Sequence, residues 1–334
     1  MFAVIFSLIA CSQTPVVNFE AMTHPPTPVL TFTPWVAGTE TALANNLYPT
    51  PLDATLAPLP TFDFSTPTSS SPRVAPTYTP AQTTLEKPTD FSPVLYGGKQ
   101  YDTTFFLLLG GVSRDAWLAP DESVARFNGE VTYSLNNMEY EAKYFLWGKV
   151  PQFSPTCKIY TIGTDAVLDE AGFVGVVDGW AVTKRFATEL SADGQFYQQA
   201  VLDWLKTQGV DAPEIGSLHV FRVDIEGDGT DEIFISATHL DGSQHTTKAG
   251  DYSVILMRKV IGNETVTIPL VADVYSSKEL EITFPREYSL ENFIDLNQDG
   301  VLEVVVSFLK WEGFGASVFQ VNGQDVIQTL SAGC

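Results

Sequence analysis

Oxygen-bearing side chains recur at alternate positions in two nine-residue stretches, Asp224 to Glu232 (DIEGDGTDE) and Asp295 to Glu303 (DLNQDGVLE). Carboxylates and amides spaced this way, with Gly at the sixth position to let the backbone turn sharply, suit a hard cation such as Ca2+. In the second stretch Asp295, Asn297 and Asp299 offer side-chain oxygens, Val301 a backbone carbonyl and Glu303 a closing carboxylate, with Gly300 at the turn. The first repeats the scheme with Asp224, Glu226, Asp228, Thr230 and Glu232, and its Gly is Gly229. Glu226 departs from the pattern, because it reaches one methylene further than Asp or Asn. Acidic turns before strands also arise for backbone reasons alone. Turn chemistry, however, has no need of spaced oxygens closed by a ninth-position Glu, so two matches in one context favour Ca2+ held as a structural ion.

An EF-hand would place a bidentate Glu at position twelve between two helices, but Ile235 and Val306 occupy that position. The loops lead instead into EIFISA (Glu232 to Ala237) and EVVVSF (Glu303 to Phe308), apolar and β-branched runs that read as buried strands. Two further strand candidates come after each: YSVILMRKV and VTIPLVADVY in the first copy, ASVFQV and DVIQTL in the second. Gly262 with Asn263, and Asn322 with Gly323, mark the expected hairpin turns. The loop-into-strand arrangement resembles the FG-GAP or integrin-α-type repeat, in which a Ca2+ loop precedes a strand of a β-propeller blade. The resemblance covers roughly residues 217–334. It implies a mainly β (α+β) fold with propeller-blade-like repeats, in which the ten named loop positions hold the ion.

The amino terminus carries an apolar run ending in Leu8, Ile9, Ala10 and Cys11. It is similar to the lipobox of bacterial lipoproteins, which implies residues 1–11 as a signal segment and Cys11 as the lipidated anchor. Residues 12–93 are dominated by Thr, Pro, Ser and Ala, a composition that cannot bury enough apolar surface to fold and that reads as an extended tether.

Residues 94–216 read as a mainly β first half, with strand candidates at TFFLLL, EVTYSL, YFLWGKV and KIYTI. One helix is expected there over residues 195–208. Phe196, Ala200, Val201, Trp204 and Leu205 form its apolar face, Ser191 or Asp193 is the candidate N-cap, and Gly209 is the stop. A shorter helix is expected around Asp121 to Phe127. With Cys11 assigned to lipid, Cys157 and Cys334 remain, a pair that an extracytoplasmic compartment would join as a disulfide.

Forty acidic residues against 18 basic give a net charge of −22, which argues against nucleic acid or an anionic surface as partner. Catalytic constellations such as GxSxG or HExxH do not occur. His239, Asp241 and His245 cluster in THLDGSQH as a loop between strands would collect them, and Trp311 to Gly315 form an aromatic turn that reads as a cap on the core. The expectation is a lipid-anchored protein of the bacterial cell envelope, binding a surface polysaccharide or protein, or serving as a scaffold. The competing expectation is an exported hydrolase of polysaccharide or peptide with accessory calcium repeats.

Overall fold

The computed structural model describes residues 90–100, 103–114, 116–138, 144–164, 168, 172–241, 245–276, 281–282 and 284–334. The expected Cys11 anchor and the tether through residue 89 lie outside them.

The fold is mainly antiparallel β. An eight-stranded sheet contains β1 (Ser92–Gln100), β2 (Thr103–Ser113), β3 (Ala116–Leu118), β4 (Val131–Asn136), β5 (Tyr144–Gly148), β6 (Gln152–Ser154), β7 (Ile159–Thr161) and β8 (Phe173–Val177). Its strand order is β5-β4-β8-β1-β2-β7-β6, with β3 paired to β2. The short helix α1 (Pro120–Val124) follows β3. β1 begins at Ser92 and Phe91 is buried, so folded structure starts ahead of residue 94, where the first half was expected to begin.

A five-stranded sheet runs β14-β13-β11-β10-β9, built from β9 (Thr188–Leu190), β10 (Ser217–Val223), β11 (Glu232–His239), β13 (Tyr252–Ile261) and β14 (Glu264–Val274). The short strands β12 (Thr246–Thr247) and β15 (Glu281–Ile282) pair with each other. The last sheet is a four-stranded meander of β16 (Glu287–Ile294), β17 (Glu303–Lys310), β18 (Gly313–Asn322) and β19 (Asp325–Gly333). Each repeat therefore has a strand before its loop, β10 or β16, as well as the strands expected after it. No sheet closes on itself among the described residues.

Alternation along the strands shows how the layers stack. Val305, Ala316 and Val318 of the four-stranded sheet pack against Leu107, Leu109 and Val174 of the eight-stranded sheet. From the other face of the same sheet, Val304, Val306 and Phe319 pack against Phe234, Ile255 and Met257 of the five-stranded sheet. The five-stranded sheet turns Ile235, Val254 and Leu256 the opposite way, toward helix α2 (Gln195–Thr207). A strand buried on both faces must be apolar at consecutive positions, which is why EVVVSF and YSVILM read as continuous runs. Full burial of each such side chain is worth about 1.5–3 kcal/mol.

Helix α2 thus belongs with the first repeat sheet and not with the first half. Ala200, Val201 and Leu205 form its buried face, whereas Phe196, expected there, is 65% exposed beneath the Arg258 guanidinium. Tyr197 packs inward in its place. The N-cap is Gly194, without a side-chain cap, so neither Ser191 nor Asp193 takes that role. Gly209 ends the helix in the left-handed conformation, φ +86°. The second hairpin turns at Gly323 and Gln324, because Asn322 already pairs with Asp325.

Cys157 and Cys334 lie at disulfide distance, with Cα atoms 4.8 Å apart across 177 residues of sequence. No helix among the described residues is long and apolar enough to cross a membrane.

Two candidate cation loops between strands

Both acidic stretches connect the first and second strands of a meander, β10 to β11 and β16 to β17, and both close on themselves in the same way. The first-position Asp accepts hydrogen bonds from the loop's own amides. Asp224 takes the N–H groups of Gly227, Asp228 and Gly229 at 2.6, 3.2 and 2.9 Å. Asp295 takes those of Asp299 and Gly300 at 3.2 and 3.1 Å. The fifth-position Asp accepts from the seventh residue, Thr230 N to Asp228 at 2.7 Å and Val301 N to Asp299 at 2.8 Å. The ninth-position Glu accepts from the second, Ile225 N to Glu232 at 3.0 Å and Leu296 N to Glu303 at 2.7 Å.

That second residue, Ile225 or Leu296, is fully buried and anchors the loop to the core. Left-handed backbone recurs at the fourth and sixth positions: Gly227 and Gly229 at φ +72° and +87°, Gln298 and Gly300 at +66° and +89°. The two stretches are one structural repeat, down to a strained non-glycine residue at Gln298.

They differ in how negative charge is met. Register places Lys259 of β13 beside Glu232, one step beyond the Ile233–Arg258 pair. Its ammonium lies 2.5 Å from Glu226 and 3.7 Å from Glu232. In the second repeat the same register, one step beyond Val304–Phe319, puts Gln320 beside Glu303. The Gln320 amide donates to Glu303 at 3.2 Å and accepts from the Trp117 indole at 3.1 Å. A buried cation in one repeat is a neutral amide in the other.

The carboxylates respond accordingly. Burial pushes Glu303 from its usual 4.5 up to about 8; the Leu296 and Gln320 hydrogen bonds offset part of that rise, and repulsion from Asp299 and Asp295 adds a smaller one. Burial also raises Asp295 and Glu232, the latter held back by the Ile225 amide and by Lys259. Burial acts on Asp224 in the same direction, but the hydrogen bonds from Gly229, Gly227 and Asp228, with Arg185 nearby, leave it lowered.

The segment after β8 links the loops. Arg185 Nη1 donates to the carbonyls of Asp224 and Ile225 at 3.3 and 3.0 Å, and Nη2 donates to that of Gly300 at 2.8 Å. Leu302 N donates directly to Ile225 O at 2.8 Å, Asp295 N to Thr183 O at 2.9 Å, and the Trp180 indole to Leu296 O at 2.8 Å. A side chain on Gly227 would collide with the guanidinium.

The oxygen-rich donor set fits a hard cation in its chemistry. Among the described residues, though, no three His, Cys, Asp or Glu side chains converge to hold one, because the carboxylates are turned onto loop amides. Sequence reasoning missed Lys259, Gln320 and Arg185. The signal for the first two was their common place on the third strand of each meander, and nothing local marked Arg185.

His239, Asp241 and His245 are not brought to one site. His239 stacks on Tyr252, Asp241 lies 3.7 Å from Lys248, and His245 meets Trp311 edge-on, with ring centroids 4.2 Å apart. Trp311 does not cap the core: it is 41% exposed, and Phe314 packs inward on Phe105 instead. No family model, curated protein or solved structure matches the chain.

Proposed function

We propose that this chain is a lipid-anchored binding protein of the bacterial cell envelope. Its carboxy-terminal half consists of FG-GAP-like, propeller-blade-like repeats stabilised by Ca2+. Cys11 is the anchor, and the Thr/Pro-rich residues between it and the folded structure that begins at Phe91 are the tether that holds the domain away from the membrane surface. The observation that carries the calcium reading is the exchange of Lys259 for Gln320 between otherwise equivalent loops. The first loop carries its own counter-charge. Among the described residues, no cationic side chain pairs with Asp295, Asp299 or the 1%-exposed Glu303 of the second, so an external cation relieves the repulsion there. Asp295, Asn297, Asp299, Glu303 and the Val301 carbonyl would hold it, and the ion supplies charge neutralisation and rigidity, not catalysis. Asp224, Glu226, Asp228, Thr230 and Glu232 form the weaker site, where Ca2+ must compete with Lys259.

Thermal unfolding in EDTA and in millimolar Ca2+ tests this. An ion that binds only the folded state at 100 times its Kd adds about 2.7 kcal/mol, which is about 5–10 °C in a domain of this size. Asp299→Ala abolishes that increment and Glu226→Ala retains it. Identical wild-type melting curves in the two conditions would reduce both loops to acidic turns.

A further inference from the structure

An aromatic and cationic cleft lies apart from the loops, where the last residues of β14 and β17 meet the segment before β16. Asp273, Tyr275, Phe284, Arg286, Phe308 and Lys310 line an open cavity of about 470 Å³, within the ~300–1,000 Å³ of small-ligand sites. Its floor is Phe308, and a Cβ on Gly315 or on Gly333 would come within 2.6 Å of that ring. The two glycines make the room in which Phe308 lies. At the mouth, Phe284 is 43% exposed and meets His245 edge-on at 5.8 Å, and the same imidazole meets Trp311. Three aromatic rings from distant parts of the chain thus form one exposed surface.

Phe284 also holds φ at +48°, a left-handed and strained backbone that bulky side chains rarely adopt. A fold that tolerates this strain to present an aromatic ring to solvent points to a use for the ring. The polar groups beside it are already oriented. Arg286 grips Asp273 through Nε and Nη2, both at 2.9 Å, and Tyr288 donates to the same carboxylate at 3.3 Å. Nη1 stays outside that fork. Lys310 forms no ion pair among the described residues. Arg286 and Lys310 against the single Asp273 make the cleft locally cationic in a chain of net charge −22.

We propose that this cleft binds a saccharide bearing carboxylates, such as a uronic acid polymer. Aromatic faces cover the C–H faces of a sugar ring, the fixed Asp273–Arg286 pair offers an acceptor and donors to hydroxyls, and Lys310 meets the carboxylate. The inference rests on the reading of the domain as a binding module but not on its calcium. A peptide ligand is disfavoured, because the cleft's aromatics are spread as an open platform instead of enclosing an apolar pocket.

Nuclear magnetic resonance titration of the backbone amide and Trp indole signals with short oligogalacturonides, and separately with neutral oligosaccharides of equal length, tests it on the intact protein. Saturable shifts with the acidic sugar are expected. Binding weakens about tenfold or more in Trp311→Ala, the scale of an aromatic anchor, and by a comparable factor in Lys310→Gln. Both variants alter partly exposed side chains, and an unchanged melting temperature shows that they fold. Equal binding of the neutral sugar would overturn the charge recognition, and binding unchanged in both variants would overturn the site, while either leaves a sugar-binding module standing. No shift with any sugar, together with shifts from a peptide, would overturn the saccharide class itself; no shift with any ligand tried would count against the binding reading as well.

Discussion

Replacing Lys259 by Gln gives the first loop the side chain that the second carries at Gln320, and the structure sets the cost. The buried ammonium lies 2.5 Å from Glu226 and 3.7 Å from Glu232, and Glu232 is only 2% exposed. K259Q therefore strands two carboxylates. Removing one partner of a buried ion pair costs about 3–5 kcal/mol, and each kcal/mol moves the Tm of a domain of this size by about 2–4 °C. In EDTA the variant is expected to melt about 6–20 °C below wild type, measured by scanning calorimetry. Millimolar Ca2+ should recover part of the loss, because the stranded carboxylates now lack their internal competitor. The reciprocal change, Gln320→Lys, brings an ammonium beside Glu303 but removes the acceptor of the Trp117 indole, a loss of about 1–3 kcal/mol. Its diagnostic is therefore not absolute stability but the Ca2+ increment, which should vanish. A K259Q curve that overlays wild type in EDTA would refute the idea that Lys259 neutralises the first loop, and an undiminished increment in Q320K would refute its extension to the second.

Cys157→Ser should lower the stability of the oxidised protein by up to about 5 kcal/mol, the chain-entropy value for so long a loop, and reduction of wild type should cause the same loss; a thiol assay finding two free cysteines in the folded protein would contradict this. Glu291 is partly buried, and that burial raises its pKa despite hydrogen bonds from Ser307 and Tyr96. The folded state thus keeps that proton longer than the unfolded state, so its contribution is present below the ordinary carboxyl pKa and lost as pH rises through the raised value. Urea titrations in EDTA across that range should show Glu291→Gln with a smaller fall in stability than wild type, and parallel profiles would remove Glu291 as a source. Cys11→Ser should shift the protein from the membrane fraction to the soluble fraction, as read by detergent partitioning; intact wild type already in the soluble fraction would exclude the anchor.

The strands were legible where packing and local chemistry agree. EVVVSF and YSVILM are apolar at consecutive positions because each lies between two layers, and the loop residues announce themselves by spacing within nine positions. What stayed hidden depends on register or on distant contacts. Lys259 and Gln320 occupy one structural position, but they lie at different distances from their loops because the connection from β11 to β13 is much longer than the tight turn from β17 to β18. Counting from the loop does not align them; only strand pairing does. Phe196 misled for the opposite reason, since its helical spacing fits the apolar face, yet the ring is 65% exposed under Arg258. The cleft was illegible because Phe284, Trp311 and His245 meet only through the stacking of three separate segments.

Arg185 adds a consequence that neither loop has alone. Its guanidinium donates to backbone carbonyls, those of Asp224 and Ile225 in one loop and of Gly300 in the other. It therefore responds to the path of each loop, and in the first loop its charge also helps to lower the Asp224 carboxyl. Any counter-charge that fixes the path of one loop, an ammonium in the first or a bound cation in the second, also fixes the carbonyls that Arg185 needs from that side. Leu302 N on Ile225 O ties the same two backbones together directly. Interactions that share a partner are not additive. On the proposed reading, in which a cation neutralises the second loop, the two loops hold or loosen together through these shared backbone contacts.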